Sequence, residues 1–190
     1  MQGLVLIDNY DSFTYNIVQY LMELGENPII FENDKISIQK LRKIEFDKII
    51  ISPGAGNPDS AGISLDIINE FYNSKKFLGI CLGHQCIAQF FGSKIIKAPE
   101  PVHGKISKIY YSPSCLLFKD IPQGFNATRY HSLIADSISE TSCLKVAAQT
   151  KDGLIMALEH KNLPIYGVQF HPEAILSEYG KVIFKNFLSI

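Results

Sequence analysis

A cysteine, a histidine and a carboxylate stand in this chain in settings that suit nucleophilic catalysis. Gly79-Ile80-Cys81-Leu82-Gly83 follows the apolar pair Phe77-Leu78 and has the G-x-nucleophile-x-G form of a strand–turn–helix elbow. Glycines flank such a turn because strand and helix backbones pass close together there. The amide of Leu82 and the first amides of the following helix point toward the sulfur, which favours the reactive thiolate. Near the carboxyl end, Ile165-Tyr166-Gly167-Val168-Gln169-Phe170-His171-Pro172-Glu173 reads as a strand that ends in a histidine, a proline stop and a carboxylate. A cysteine nucleophile needs a base, and the base needs a group that fixes its tautomer. Cys81, His171 and Glu173 match those three roles. The pentapeptide alone also describes a buried cysteine in an ordinary turn, and His171 alone a strand-end histidine; the combination favours catalysis.

Positioning these residues takes a folded domain, and 190 residues suffice for one, spanning 1–190. A hydrophobic fraction of 46% and a charged fraction of 19% are those of a soluble globular protein, with no linker or repeat between elements. A net charge of −1 gives no electrostatic case for nucleic acid or an anionic membrane surface. No apolar run approaches the roughly 20 residues that span a bilayer. Met1 to Asp8 lacks a basic leader segment and reads as a first strand, so a cytoplasmic setting with reduced thiols is expected. Cys86, Cys115 and Cys143 then read as small apolar fillers, and no metal site is expected.

The first half alternates strand-like and helix-like segments. Strands are expected at Leu4–Ile7, Pro28–Phe31, Ile49–Ile51 and Phe77–Ile80. Helices are expected from a cap at Asp11 or Ser12 to Gly25, over Ile63–Tyr72, and over His84–Phe91 before Gly92. This order implies an α/β fold with an open, mostly parallel, doubly wound sheet. The second half predicts shorter strands at Ser107–Tyr111, Ala127–Tyr130, Leu144–Ala148, Ile155–Glu159 and Ile165–Phe170, some of them antiparallel. A last helix is expected over Ser177–Leu188 with Tyr179, Ile183 and Phe187 inward. Sites in open α/β sheets lie beyond the carboxyl ends of strands. Ser52-Pro53-Gly54-Ala55-Gly56, Cys81 and His171-Pro172-Glu173 all fall at such ends. The glycine loop lacks the third glycine of a dinucleotide fingerprint and the Gly-Lys-Ser/Thr ending of a phosphate loop.

Nearly end to end, the chain resembles the triad (class I) glutamine amidotransferases, most closely the small component II subunits of synthases that use chorismate. The resemblance is carried by Asp8-Asn9-Tyr10-Asp11-Ser12-Phe13-Thr14-Tyr15-Asn16, Ser52 to Gly56, Gly79 to Gln85, His103-Gly104-Lys105, Arg129-Tyr130-His131-Ser132-Leu133 and Gly167 to Glu173. It implies Cys81 as the nucleophile on L-glutamine, His171 as proton shuttle and Glu173 as its orienting acid. It further implies an oxyanion hole at the amides of Gly54 and Leu82. Glutamine would be held by Gly54, Ala55, Gly56, Gln85, Ser132 and Leu133. The region from Asp8 to Thr14 would lie near a subunit contact.

By the same resemblance the partner is a separate component I synthase subunit making aminodeoxychorismate or anthranilate. This subunit carries no cofactor, and magnesium belongs to the partner. A cysteine hydrolase or peptidase on the same sheet, or a non-catalytic regulatory subunit, are the alternatives. Two positions depart from the family pattern. Ala55 replaces the usual proline of the glycine loop, and Ala174 replaces the usual serine after the carboxylate. His84, His103, His131 and His160 are expected to be structural or surface groups.

Overall fold

The computed structural model describes residues 3–190; Met1 and Gln2, read with the first strand, lie outside the described residues. One nine-stranded sheet runs through the protein in the order β2-β1-β3-β4-β9-β8-β7-β5-β6. Its parallel half comprises β1 (Leu4–Asn9), β2 (Ile29–Glu32), β3 (Lys48–Gly54), β4 (Lys76–Ile80) and β9 (Ile165–Val168). The remaining strands are antiparallel: β5 (Ile95–Tyr111), β6 (Phe125–Ala135), β7 (Leu144–Gln149) and β8 (Ile155–His160).

Successive side chains of a strand point to opposite faces, and here both faces are apolar because both are covered. On one face Leu4, Leu6, Ile50, Leu78, Ile80 and Val168 pack with Ile17 and Leu21 of α1 (Thr14–Glu23) and with Ile183, Phe184 and Phe187 of α5 (Gly180–Ser189). On the other, Val5, Ile7, Ile49, Ile51 and Phe77 pack with Ile67, Ile68 and Phe71 of α3 (Ser64–Phe71) and with Leu82, Cys86 and Ile87 of α4 (Leu82–Phe90). A one-turn α2 (Ile38–Leu41), capped by Ser37, adds Leu41 to that layer. It is too short to leave a periodic signal in the sequence. No helix among the described residues is long and apolar enough to cross a membrane.

One local expectation is decided between its two alternatives, and two need correction. Asp11, not Ser12, organises the entry to α1: its carboxylate accepts from the Phe13 amide at 2.7 Å, while Asp8 accepts from the Thr14 hydroxyl at 2.7 Å. The last helix begins at Gly180, not at Ser177, because Ser177 is hydrogen-bonded elsewhere and Tyr179 is left-handed (φ 59°). Tyr179 consequently faces outward, whereas Ile183 and Phe187 are inward as expected. Finally, β5 is far longer than Ser107–Tyr111. Pro99 and Pro101 hide its first half in the sequence, and they lie where the β5–β6 register shifts, between Lys97 and Val102.

Candidate active site

The elbow is set by close backbone packing. Strand β4 passes directly into α4, and Cys81 between them has φ 50° and ψ −98°, a region that non-glycine residues rarely occupy. A Cβ on Gly79 would sit 2.7 Å from the His84 amide nitrogen, and one on Gly83 2.9 Å from the Ile51 carbonyl carbon. Neither position admits a side chain without moving backbone. The Cys81 amide donates to the Val168 carbonyl at 2.8 Å, which pins the turn to β9. Leu82 opens α4, so its amide has no acceptor within the helix.

The glycine loop is anchored by a buried polar cluster that the sequence reading did not identify. Asn9 donates from its backbone to Ser52 Oγ (2.8 Å) and from Nδ2 to the Ser52 carbonyl (2.9 Å). Its Oδ1 accepts from Asn33 Nδ2 (2.9 Å) and Ser64 Oγ (3.1 Å). Hydrogen bonds of this kind are required once such groups are buried, and together they fix the end of β3 beside α4.

Beyond β9 the chain leaves its parallel neighbour and reaches across to β6. The His171 amide donates to the Thr128 carbonyl at 2.9 Å, and Ser177 Oγ donates to the His171 carbonyl at 2.6 Å while accepting from the Thr128 amide at 2.9 Å. His171 Nδ1 and Glu173 Oε1 are 2.6 Å apart, both side chains buried. The second carboxylate oxygen of Glu173 is buried without a hydrogen-bond partner, next to the alanine at 174. His171 Nε2 is buried with no partner other than the neighbouring Cys81 sulfur, which favours the protonated ring. Phe13 and Tyr130 hold the imidazole edge-on, at centroid distances of 5.7 and 5.3 Å. Burial opposes a charge on His171, but the adjacent Cys81 sulfur and Glu173 carboxylate outweigh it, and the pKa is pushed up to about 10.

A cavity of about 160 Å³ opens in front of the sulfur. Its wall includes Cys81 and all six residues expected to hold glutamine: Gly54, Ala55, Gly56, Gln85, Ser132 and Leu133. His103 and His131, expected as structural or surface groups, also line it. A larger cavity of about 630 Å³, bordered by Leu116, Asn186 and Ile190, contains no comparable chemistry. The four cysteines are free, but they differ. Burial pushes the Cys86 and Cys115 thiols up to about 12, whereas Cys143 is exposed and therefore no filler.

The sequence reading missed Gln169 and Arg129 in this site. Gln169 Nε2 approaches the Cys81 sulfur at 3.6 Å, and Arg129 Nε donates to His131 Nε2 at 2.9 Å. The signal for Gln169 was present: it stands two residues before His171, the spacing that puts side chains on one face of an extended chain. Phe13 carried no such signal, because only the fold brings α1 to His171.

Comparison with known proteins agrees with this geometry. Residues 5–190 match the family Glutamine amidotransferase class-I. Anthranilate synthase component 2 of Azospirillum brasilense is 48% identical over 98% of this chain and 95% of its own length. Aminodeoxychorismate/anthranilate synthase component 2 of Bacillus subtilis is also 48% identical, over 97% of this chain and 95% of its own. In Thermotoga maritima the bifunctional protein TrpGD matches the whole of this chain at 46% identity with 32% of its length. Among solved structures, a putative GMP synthase protein of Thermoplasma acidophilum superposes with a TM-score of 0.87 at 30% identity, covering 100% of this chain and 93% of that one. Motifs, sheet order and sequence similarity lead to one conclusion: the chain belongs to the class-I glutamine amidotransferases.

Proposed function

We propose that this chain is the glutaminase subunit of a chorismate-using synthase, with Cys81, His171 and Glu173 as its catalytic triad. The observation that carries the reading is the buried His171–Glu173 pair beside a sulfur that opens onto the glutamine-sized cavity. Glutamine enters with its side-chain amide at Cys81. The thiolate attacks Cδ, and the oxyanion that forms is met by the backbone amides of Gly54 and Leu82, donors placed for the charge that develops. Protonated His171 gives its Nε2 proton to the departing nitrogen, so the C–N bond breaks as ammonia leaves and a thioester remains. Neutral His171 then takes a proton from water, which attacks the thioester and releases glutamate and the thiolate. Glu173 keeps Nδ1 protonated and the ring aimed throughout. Both N–H groups of Gln85 are used, toward Leu133 and Gln169, so it offers the cavity an acceptor suited to the substrate ammonium.

Ammonia is passed to a component I partner that makes anthranilate, aminodeoxychorismate or both; magnesium serves the partner, and this subunit needs no cofactor. Support comes from the component 2 relatives and from apolar side chains left exposed on segments flanking the triad. Ile175 and Leu176, directly after Glu173 and Ala174, are 92% and 57% exposed, and Tyr10 and Tyr15 beside Phe13 are also exposed. Such side chains suit burial against a partner in the reducing cytoplasm.

The test is product identification after mixing the chain with each candidate synthase subunit, glutamine, chorismate and magnesium. Anthranilate assigns it to one synthase, aminodeoxychorismate to the other, and both products mark a shared subunit. Neither product, with Cys81 still reactive toward a glutamine-like electrophile, would overturn the assignment of the partner.

A further inference from the structure

The hydrogen bonds behind the cavity form a train whose direction is fixed at one end. Arg129 can only donate, so His131 accepts at Nε2 (2.9 Å) and carries its proton on Nδ1. That proton goes to the Leu133 carbonyl at 3.0 Å. The same carbonyl receives Gln85 Nε2 at 3.1 Å, which decides how the Gln85 amide is turned. Its second N–H meets Gln169 Oε1 at 3.2 Å, and the Gln169 NH2 group is left facing the Cys81 sulfur at 3.6 Å. Turning either amide over would set two oxygens or two NH2 groups against each other. One backbone carbonyl thus dictates that Gln169 turns its NH2 group to the sulfur, which also faces the Tyr130 carbonyl at 3.7 Å.

Strand register brings the last link into place. Gly79 pairs with Gly167 and Ile80 with Val168, so Gln169 falls directly across from Cys81. Gln169 is fully buried and does not line the cavity, so it does not touch substrate.

We propose that Gln169 is a positioning residue that links the nucleophile to the substrate wall, stabilising the Cys81 thiolate with one end of its amide and holding Gln85 with the other. The proposal rests on the reading of Cys81 as the nucleophile. A donor aimed at sulfur favours its charged form. A locked Gln85 keeps its oxygen toward the cavity.

The experiment follows the alkylation rate of Cys81 by iodoacetamide against pH, in the full chain with Cys143→Ser so that the exposed thiol is silent. Gln169→Met keeps length and removes the donor; it should shift the alkylation midpoint upward and slow the reaction about tenfold at pH 7, the loss expected for one hydrogen bond to a charged group. Gln169→Glu should shift the midpoint further, since it sets a carboxylate beside the sulfur. The discriminating variant is Gln85→Met, which never touches the sulfur. It should shift the same midpoint in the same direction by less, because it frees Gln169 to rotate, and it should raise KM for glutamine in the reconstituted pair. Midpoints of Gln169→Met and Gln85→Met that coincide with the parent would overturn the proposal. If Cys81→Ser still hydrolyses glutamine, the underlying reading fails instead.

Discussion

Two imidazoles flank Cys81 from different regions of the molecule, and their surroundings give them opposite character. His171, on the loop after β9, is held between a carboxylate and the sulfur, and its pKa rises to about 10. His131, on β6, is buried and lies against the Arg129 guanidinium, and its pKa falls to about 3. One is built to carry a proton; the other is a neutral dipole of fixed tautomer. The contrast extends to how the regions are made. The elbow of the parallel half holds Cys81 by steric necessity, between glycines that admit no side chain. The antiparallel arm holds its residues by hydrogen bonds whose partners can be exchanged one at a time.

The strongest way to break this contrast is at the nucleophile. Cys81→Ser should reduce glutamine-dependent synthesis by about 10⁴-fold or more in the reconstituted pair, while synthesis from ammonium persists. Loss of both activities would make Cys81 structural. Next in size is Gly83→Ala, which forces the elbow away from Ile51 and should cost about 3 kcal/mol of stability in urea titrations. Removing one hydrogen bond of the arm, as Ser107→Ala does by taking the acceptor from Arg129 Nη1, should cost about 1 kcal/mol. Equal losses at both places would erase the distinction between steric and hydrogen-bonded construction.

A third expectation concerns acid. His84 is fully buried against Gly167, and burial lowers its pKa to about 4. With His131 near 3, the unfolded chain binds more protons than the folded one below about pH 6.5. Stability therefore falls as the pH drops from 6.5 toward 4, by on the order of 3 kcal/mol for His84 alone. His171 has the opposite sign: its contribution is complete below pH 6.5 and is lost as the pH rises through about 10. In His84→Gln, urea midpoints between pH 7 and 5 should vary less, by close to one proton taken up on unfolding. An unchanged slope would show that His84 does not carry the acid sensitivity. The smallest effect belongs to Ala174→Ser, which offers a hydroxyl to the unpartnered oxygen of Glu173. It should lower the His171 pKa by less than about one unit, read from its ring proton shifts, and change kcat less than about tenfold.

The parallel half was legible from sequence because a strand buried on both faces is a run of apolar residues. Leu4 to Ile7, Ile49 to Ile51 and Phe77 to Ile80 are such runs, and each ends at the site. The glycine loop, elbow and histidine were legible for the same reason, since each sits where a recognisable strand stops. The arm was not. Pro99 and Pro101 mimic a break inside β5, and Ser177 looks like a helix cap while it binds the His171 backbone. Nor was the Asn9, Asn33 and Ser64 cluster legible, because partners 24 and 55 residues apart in sequence leave no local pattern. Arg129 was missed for a different reason: its role depends on the ring two residues away turning inward.

Cys81 itself carries a consequence of its own. A side chain at φ 50° and ψ −98° costs about 1–3 kcal/mol, which the packing of β4, α4 and β9 sustains. Glycine would adopt that backbone without strain. Selection for heat resistance alone would thus drift toward inert copies with Gly at 81, and only selection for glutamine use keeps a sulfur on the turn.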